Sequence, residues 1–515
     1  MLKRWLLALF LALPAFSQPT AQSGLDDYIL RAMKTFDVPG VSVAVVKDGA
    51  VVFAKGYGIR KVGETAPVDS HTLFGIGSNT KAFTTASLGI LVDEGKLSWD
   101  DRVVDRLPGF QMYDPYVTHE MTIRDLLTHR SGLSLGAGDL LFFPPSTYTR
   151  EDIIAKLRYI QPESSFRSKY AYDNLLYMVA GQIIPSVSGK PWQDFIKEWI
   201  FAPVGMSDSN TSVADFRPDG NFAAPHSEVE GKLHSIPPAQ IDNVAPAGAI
   251  NSSASDMAKW MIVQLGSGKI PGGDQRLFSQ RVAREMWSAQ TILPSGDPPP
   301  ALAALKTNFA AYGLGWLLRE YRGYKQVTHD GGLPGYVSRV ALIPDLKLGV
   351  VVLTNQESVG LLGAISYRIL DSYLSAPPMD WVKTIHDLQN LQKAGVADIE
   401  KNQNNARNAN SKPSLPIEKY AGKYTDAWYG DITISMEQSG LVMRFSHSPA
   451  LTGDLEHWQY DTFKARWRDR SLAADAFVSF ALNPDGSINQ VKMIPVSPLT
   501  DFSYDFQDLL IKPKK

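Results

Sequence analysis

A serine followed three residues later by a lysine stands where an apolar helical run begins, in FGIGSNTKAFTTA at residues 74–86. A helix N-terminus presents unpaired backbone N–H groups and a partial positive charge, which favour the alkoxide form of Ser78. Residues i and i+3 share a helix face, so the Lys81 amine lies within reach of the serine oxygen. Partial burial lowers the pKa of such an amine. The pair therefore predicts a nucleophile and its base.

Two further motifs strengthen this interpretation, because an S-x-x-K pair alone also fits a serine N-cap beside a solvated lysine. Tyr172 and Asn174 form a Y-x-N immediately before an apolar helical run. Farther along the chain, His-Asp-Gly-Gly at residues 329–332 leads into a strand-like run. The three motifs in this order are far more specific than any one of them.

The ordered motifs resemble those of the serine β-lactamase-like superfamily, which includes class C β-lactamases, DD-peptidases and related esterases. The stretches VPGVSVAVVKDG (38–49), LLTHRSGL (126–133) and PAGAINSSASDMAKW (246–260) are similar too, and the resemblance covers about residues 25–375. It implies an α+β fold of the β-lactamase/penicillin-binding-protein transpeptidase type, with an antiparallel sheet flanked by helices plus a helical region. It also implies an acyl-serine hydrolase that needs no cofactor and no metal.

The resemblance implies a role for each motif residue. Ser78 is the acylated nucleophile and Lys81 its general base or proton relay. Tyr172 shares protons with the lysine and protonates the leaving group. Asn174 contacts the amide of the substrate acyl group and orients the lysine. The backbone N–H groups of Ser78 and Gly332 form the oxyanion hole.

The third motif departs from the family pattern. His329 stands where a lysine is usual, and a histidine is only partly protonated near neutral pH, whereas a permanent cation suits a substrate carboxylate. Asp330 replaces a frequent hydroxyl residue and is expected to disfavour anionic substrates at that wall. Gly331 and Gly332 are expected to let the strand approach the substrate closely. The resemblance to related enzymes with a histidine at this position implies an amide or ester substrate, with a peptide containing D-amino acids as the main hypothesis and carboxylesterase or weak β-lactamase activity as alternatives.

A sensor that binds penicillin or cell-wall fragments without turnover is the non-enzymatic alternative, although a pure binder needs no proton relay. The expected partner is a small-molecule or peptide substrate, for example one derived from the cell wall. Lys and Arg number 51 against 53 Asp and Glu, so net charge gives no argument for nucleic acid. The sequence leaves the oligomeric state open.

The N-terminal residues 1–21 are typical of a secretory signal peptide, because Lys3 and Arg4 precede a short apolar run. That run is shorter than the roughly 20 apolar residues that a spanning helix needs, although a membrane anchor is the alternative. Cleavage after Ser17 or Ala21 predicts a secreted or periplasmic protein without a membrane span. The absence of cysteine excludes disulfides and a thiol nucleophile.

Two domains are expected for 515 residues. Residues 22–376 are predicted to form the hydrolase domain, with one sheet assembled from a hairpin at 41–57 and a strand-rich zone after Gly313. A helix from about Leu361 to Leu374 closes this domain. Within it, His129 is predicted to stabilise a turn rather than to catalyse.

A helix and a polar linker are predicted at 377–412, with KNQNNARNANSKPSLP as the linker stretch. Residues 413–515 are predicted to form a small all-β sandwich or lipocalin-like barrel, from the runs DITISME, GLVMRFS, HWQYDTF, AFVSFAL, INQVKMI and FSYDF. This domain shows no catalytic constellation, so a binding or lid role and a structural role both remain open. The aromatic segment GDLLFFPPSTYTRED (138–152) either overhangs the cleft or packs as a buried loop.

Overall fold

The computed structural model describes residues 23–217, 219–438 and 440–514. The predicted signal peptide lies outside these residues. Within them, no helix is long and apolar enough to cross a bilayer, and no cluster of three or more His, Asp or Glu side chains could hold a metal ion. The described chain forms two eight-stranded antiparallel sheets, with helices packed around the first.

The strands of the first part of the chain are β1 Gly40–Lys47, β2 Ala50–Gly58, β3 Phe74–Gly75, β4 His226–Val229, β5 Lys232–Ser235, β6 Asn251–Ser252, β7 Thr291–Ile292, β8 Ala310–Tyr312, β9 Leu317–Tyr321, β10 Tyr324–Leu333, β11 Tyr336–Ile343 and β12 Leu348–Thr354. The α-helices are α1 Leu25–Phe36, α2 Thr80–Asp93, α3 Val103–Arg106, α4 Pro115–Glu120, α5 Ile123–Leu126, α6 Arg150–Lys156, α7 Leu175–Ser188, α8 Trp192–Ile196, α9 Ala202–Val204, α10 Ala245–Gly248, α11 Ala254–Leu265, α12 Gln280–Met286, α13 Val359–Tyr373 and α14 Trp381–Ala406.

The first sheet has the order β2-β1-β12-β11-β10-β9-β8-β7, which confirms a sheet assembled from distant parts of the chain. The predicted hairpin is β1–β2, and β1 pairs with β12. Both strands are buried along nearly their whole length, since α11 packs on one face of the sheet and α1 and α13 form the layer on the other. Such continuous apolar strands are typical of a sheet that is covered on both faces. The predicted closing helix is α13.

A helical region is inserted between β2 and β7, and it carries the first two motifs. Helix α2 is its buried centre, since every residue from Thr80 to Val92 is buried. Helices α7 and α10 both pack against α2. The region therefore brings the segments before α2 and α7 together beside the edge of β10.

The C-terminal strands are β13 Gly422–Asp426, β14 Gly430–Glu437, β15 Gly440–Phe445, β16 Thr452–Gln459, β17 Thr462–Trp467, β18 Ala476–Leu482, β19 Ile488–Pro495 and β20 Lys512–Pro513. They form a nearly closed barrel in the order β19-β18-β17-β16-β15-β14-β13-β20. A bridge between Val491 and Ile511 brings the two edges together. Buried and less buried residues alternate along β18, as a barrel wall requires.

Three details of the predicted C-terminal organisation differ from the structure. Helix α14 extends into the polar run that was predicted as linker. HWQYDTF contains the turn between β16 and β17, where Tyr460 has a φ of +48°. FSYDF (502–506) is not a strand: it belongs to an irregular segment, residues 501–508, that we call the strap. Its Ser503 and Asp505 are buried against the first domain, so its alternation reflects contacts between domains rather than a sheet.

Candidate active site

Ser78 lies in a single 3₁₀ turn, Gly77–Asn79, directly before α2. The Lys81 Nζ atom lies 3.0 Å from Ser78 Oγ, so the three-residue spacing brings the two groups together. Gly77 has a φ of +51°, and a Cβ atom on it would lie 2.7 Å from the backbone nitrogen of Gly332. Only glycine fits this turn, which passes in direct contact with β10.

The Lys81 amine is completely buried and has three hydrogen-bond partners. Besides Ser78, they are Asn174 Oδ1 at 2.7 Å and the Ala247 carbonyl oxygen at 3.1 Å. A neutral amine has two N–H groups, which suit the two carbonyl oxygens, and one lone pair, which then faces the serine hydroxyl. Burial lowers the pKa of Lys81 to about 7, against the opposing effect of nearby carboxyl groups. The lysine is therefore able to act as a base near neutral pH.

Tyr172 lies between the lysine and the third motif. Lys81 Nζ is 4.8 Å from the centre of its ring, and the ring also contacts that of His329. Burial raises the pKa of Tyr172 well above 10, although a hydrogen bond with Ser78 opposes the rise. The phenol therefore keeps its proton and is suited to donate it rather than to act as a tyrosinate.

His329 is a neutral histidine in this site. Its Nδ1 lies 2.6 Å from the Asp330 carbonyl oxygen, which can only accept, so Nδ1 carries the proton. Its Nε2 accepts a hydrogen bond of 2.8 Å from the Tyr312 hydroxyl. Burial, followed by the nearby Lys81, lowers the pKa of His329 to about 4. The third motif therefore offers no positive charge at neutral pH.

Asp330 is paired with a cation of the neighbouring strand. Its carboxylate forms two hydrogen bonds with the Arg339 guanidinium, at 2.7 and 2.6 Å, across the β10–β11 pair. Desolvation opposes ionisation, but this cation holds the pKa of Asp330 below its usual value. The neighbouring strand therefore supplies the countercharge of Asp330, and the expectation that this residue disfavours anionic substrates at the wall stays a prediction.

The two glycines of the third motif have different surroundings. A Cβ atom on Gly331 would lie 1.9 Å from the carbonyl oxygen of Ile76, whereas one on Gly332 would meet no atom within 4 Å. Ser338 reinforces the contact between β11 and the nucleophile turn by donating to that same carbonyl at 2.7 Å. Gly331 thus permits the approach of two chain segments, and Gly332 borders open space beside Ser78. This arrangement suits the predicted pair of oxyanion donors.

His129 holds the Y-x-N segment in place. It is fully buried with a φ of +52°, and its Nδ1 accepts a hydrogen bond from the Asp173 backbone at 3.2 Å. Its carbonyl oxygen accepts another from Ala171. Burial lowers its pKa well below 6.5, so it stays neutral. These contacts agree with the predicted turn-stabilising role.

Several groups of the site carried no sequence signal. Asp139 accepts a hydrogen bond from Asn174 Nδ2 at 2.9 Å, and Asp173 lies near the lysine. Burial raises the pKa of Asp139 to about 8 and that of Asp173 to about 7. Asp139 is the second residue of the aromatic segment 138–152, which is largely buried and also contacts the barrel: the Tyr148 hydroxyl donates to the Tyr429 carbonyl. Of the two alternatives for that segment, the structure favours the buried packing loop.

This arrangement is that of a hydrolase with an active-site serine. The chain belongs to the beta-lactamase family, whose model matches residues 25–371. A domain of unknown function, DUF3471, matches residues 406–513. The family, the geometry and relatives named as hydrolases together identify a serine hydrolase.

Two curated relatives match more of this chain than its first domain, and a third matches a smaller part. Unguisins hydrolase ungD' of Aspergillus campestris is 33% identical over 430 residues, which are 80% of this chain and 77% of that protein. Unguisins hydrolase ungD of Aspergillus violaceofuscus is 28% identical over 507 residues, 89% of this chain and 85% of that protein. Penicillin-binding protein 4 of Amycolatopsis lactamdurans is 28% identical over 331 residues, 62% of this chain and 81% of that protein.

Solved structures share the fold. The octameric penicillin-binding protein homologue from Pyrococcus abyssi has a TM-score of 0.61 at 24% identity and covers 95% of this chain and 99% of its own. A class C beta-lactamase has a TM-score of 0.57 at 20% identity and covers 70% of this chain and 98% of its own. The first structure is therefore similar over both domains, and the second over a smaller part of the chain.

Proposed function

We propose that this hydrolase cleaves an amide or ester bond through an acyl-enzyme on Ser78, with a peptide containing D-amino acids as its substrate. The observation that carries the reaction is the buried Lys81 amine, which lies 3.0 Å from Ser78 Oγ and has its pKa lowered to about 7. A base with a pKa near the working pH combines sufficient neutral population with sufficient proton affinity.

The proposed reaction has two stages. The Ser78 oxygen attacks the substrate carbonyl carbon while its proton passes to Lys81, and the resulting oxyanion is bound by the backbone N–H groups of Ser78 and Gly332. Tyr172 then donates its proton to the leaving amine or alcohol as the scissile bond breaks, and Lys81 returns a proton to the phenolate. Water hydrolyses the ester on Ser78 and regenerates the serine.

The neutral third motif supports an uncharged acyl group. His329 carries no charge at neutral pH, and the charge of Arg339 is matched by Asp330. Neither residue provides a free cation for the carboxylate of a typical β-lactam antibiotic. The same wall favours a carboxylesterase as the second candidate, because a simple ester also lacks a carboxylate. Relatives named as unguisins hydrolases support turnover over the sensor alternative.

Labelling with a fluorophosphonate tests the nucleophile. We expect intact mass spectrometry to show one adduct on the wild-type protein and none on Ser78→Ala. Peptide mapping should place the adduct on Ser78. Labelling of a different residue in the wild type, or an undiminished adduct on the variant, would overturn the proposed mechanism.

A substrate panel tests the bond and its chirality. It contains matched D- and L-peptides, p-nitrophenyl esters and a chromogenic cephalosporin, each assayed with the wild type and Ser78→Ala. We expect the highest kcat/KM for a D-peptide and the lowest for the cephalosporin. Faster ester cleavage with no peptide turnover would favour the carboxylesterase, and rapid cephalosporin hydrolysis would contradict the substrate hypothesis.

We also propose that the protein is exported, as the basic and apolar residues 1–21 predict. The intact mass of the protein recovered outside the cytoplasm should correspond to cleavage after Ser17 or Ala21. Recovery of the full-length chain in the cytoplasm alone would contradict this proposal.

A further inference from the structure

The strap of the C-terminal domain enters the neighbourhood of the catalytic residues. The Phe502 ring lies edge-on to the Tyr172 ring, with centres 6.1 Å apart. Phe502 also packs on Gly136, where a Cβ atom would lie 2.7 Å from its ring, and the Gly136 N–H donates to the Tyr172 carbonyl oxygen at 2.8 Å. The barrel domain is thus in direct contact with the segment that carries the catalytic tyrosine.

Two residues of the strap hold Asp139. The Ser503 hydroxyl donates to Asp139 Oδ2 at 2.9 Å. The Asp505 carboxylate accepts from the backbone N–H groups on either side of Asp139, at 2.6 Å from Gly138 and 3.1 Å from Leu140. One strap residue therefore contacts the aspartate side chain, and the other its backbone.

The carboxyl group of Asp139 has few hydrogen-bond partners among the described residues. Its Oδ2 accepts from Ser503 and from Asn174, while its Oδ1 has no hydrogen-bond partner among the described residues. All three side chains are buried. Loss of the serine hydroxyl would leave the carboxyl group with the asparagine as its remaining side-chain donor, and a buried polar group that loses a partner is costly.

A chain of hydrogen bonds leads from the strap to the base. It runs from Ser503 to Asp139 Oδ2, from there to Asn174 Nδ2, and from Asn174 Oδ1 to Lys81 Nζ, with lengths of 2.9, 2.9 and 2.7 Å. The nitrogen and the oxygen of the Asn174 side-chain amide therefore both form hydrogen bonds. The NH₂ group of Asn174 donates to the same Asp139 oxygen that accepts from Ser503, which leaves the amide oxygen of Asn174 facing the lysine.

We propose that Ser503 is a positioning residue of the hydrolase site, which acts through Asp139 and Asn174 on the general base Lys81. This role rests on the proposed function of Ser78 and Lys81. It would make the C-terminal domain a part of the catalytic unit, a role beyond the binding, lid and structural roles that the sequence left open for it.

The charged groups around Asp139 and Lys81 predict how loss of the Ser503 hydroxyl changes the pKa of the lysine. The charged and titratable groups that interact with Asp139 or with Lys81 are Tyr172, Tyr177, Asp173, His129 and His329 in the first domain, and Asp501 and Asp505 in the strap. The bond from Ser503 lowers the pKa of Asp139, and a negative Asp139 raises the pKa of Lys81. Removal of the hydroxyl should keep Asp139 neutral to higher pH, and the pKa of the lysine should fall.

The test compares Ser503→Ala, Ser503→Thr and Ser448→Ala in the full-length protein. Ser448 is also a buried serine of the C-terminal domain, but its hydroxyl accepts from Tyr429, away from Asp139. For each variant, kcat/KM for p-nitrophenyl butyrate is measured against pH, together with the thermal midpoint and the rate of fluorophosphonate labelling.

Ser503→Ala should lower kcat/KM by about tenfold, the effect of losing one buried hydrogen bond. It should also move the acid limb of the pH profile to lower pH. Ser503→Thr keeps a hydroxyl and should retain the wild-type limb, and Ser448→Ala should leave the limb unchanged even where it lowers the thermal midpoint.

An unchanged acid limb in a folded, labelled Ser503→Ala would overturn the proposal and leave Ser503 with a purely structural role. The same conclusion follows if Ser448→Ala moves the limb equally, or if a folded Ser503→Thr behaves like the alanine variant. Failure of the proposed function is distinguishable, because the wild type itself would then show no label on Ser78.

Discussion

The two eight-stranded sheets of this protein use their residues in different ways. In the first sheet, β1 and β12 are buried on both faces, and the reactive groups lie where β10 meets an inserted helical region. In the barrel, one face of most strands lines an aromatic core, where Phe463 and Phe480 pack with Tyr420. The barrel domain contacts the active-site residues through the strap, which lies outside the barrel sheet.

This difference shows how chemistry can be divided between domains. The first domain provides a rigid framework in which glycine allows two segments to touch, as at Gly331 and the Ile76 carbonyl. The barrel core provides stability for a segment that itself has little regular structure. Substitutions should accordingly affect activity, stability or both, depending on which of these parts they change.

The largest effect is expected for Ser78→Ala. If the first domain contains the reacting atoms, loss of the nucleophile should lower kcat by about 10⁴-fold or more, as for other serine hydrolases. The thermal midpoint should change little, because only one hydroxyl is removed. Steady-state kinetics and thermal unfolding measure both values. Residual activity within tenfold of the wild type would place the nucleophile elsewhere.

The second-largest effect is expected in the dependence of kcat/KM on pH. Lys81 must be neutral to accept a proton, and burial lowers its pKa to about 7. Below that pH the protonated fraction grows, so kcat/KM should fall by about tenfold per pH unit. The acid limb of the profile of kcat/KM against pH, recorded with an uncharged ester, measures this fall. A limb near pH 4 would instead indicate titration of His329, whose pKa is lowered to about 4.

A smaller effect should distinguish the two glycines of β10. Gly331→Ala places a methyl group against the Ile76 carbonyl and should cost about 1–3 kcal/mol of stability, with a loss of activity. Gly332→Ala is the matched control, because a methyl group there meets no atom within 4 Å. Denaturant unfolding compares them. Equal stability of the two variants would show that the contact between strand and nucleophile turn is not tight.

The smallest effect is expected in the barrel core. Ile432 is completely buried in β14, and Ile432→Val should cost about 0.5–1.5 kcal/mol of stability. Because the valine stays apolar and the strap bonds around Asp139 come from Ser503 and Asp505, kcat and the pH profile should stay as in the wild type. Thermal unfolding and the ester assay test this. A change in the acid limb would mean that the barrel core itself tunes the site.

The sequence predicts the fold wherever local pattern and burial agree. The hairpin β1–β2, helix α13 and most barrel strands follow from apolar periodicity and turn residues. The three motifs also predict which side chains meet, because the helix spacing and the family resemblance both constrain them. The hairpin, the helix and the strands depend on residues that are neighbours in sequence, whereas the meeting of the three distant motifs follows from the family resemblance.

The rest depends on partners that are distant in the chain. In the sequence Asp330 resembles an unpaired negative charge, because nothing in its own strand reveals Arg339, which faces it from β11. FSYDF resembled a strand because its apolar and polar residues alternate. That alternation instead serves two domains, since Phe506 enters the barrel core while Ser503 contacts Asp139. A single sequence offers no signal for either pairing.

The hydrogen bond between Ser503 and Asp139 joins residues that are 364 positions apart. Contacts between such distant positions form late, because the chain must first lose the entropy of a very large loop. A growing chain emerges N-terminus first and holds Ser78, Lys81 and Asn174 long before it contains the strap. This separation predicts a maturation in two steps, in which the reactive groups assemble first and their alignment is completed when the last domain docks.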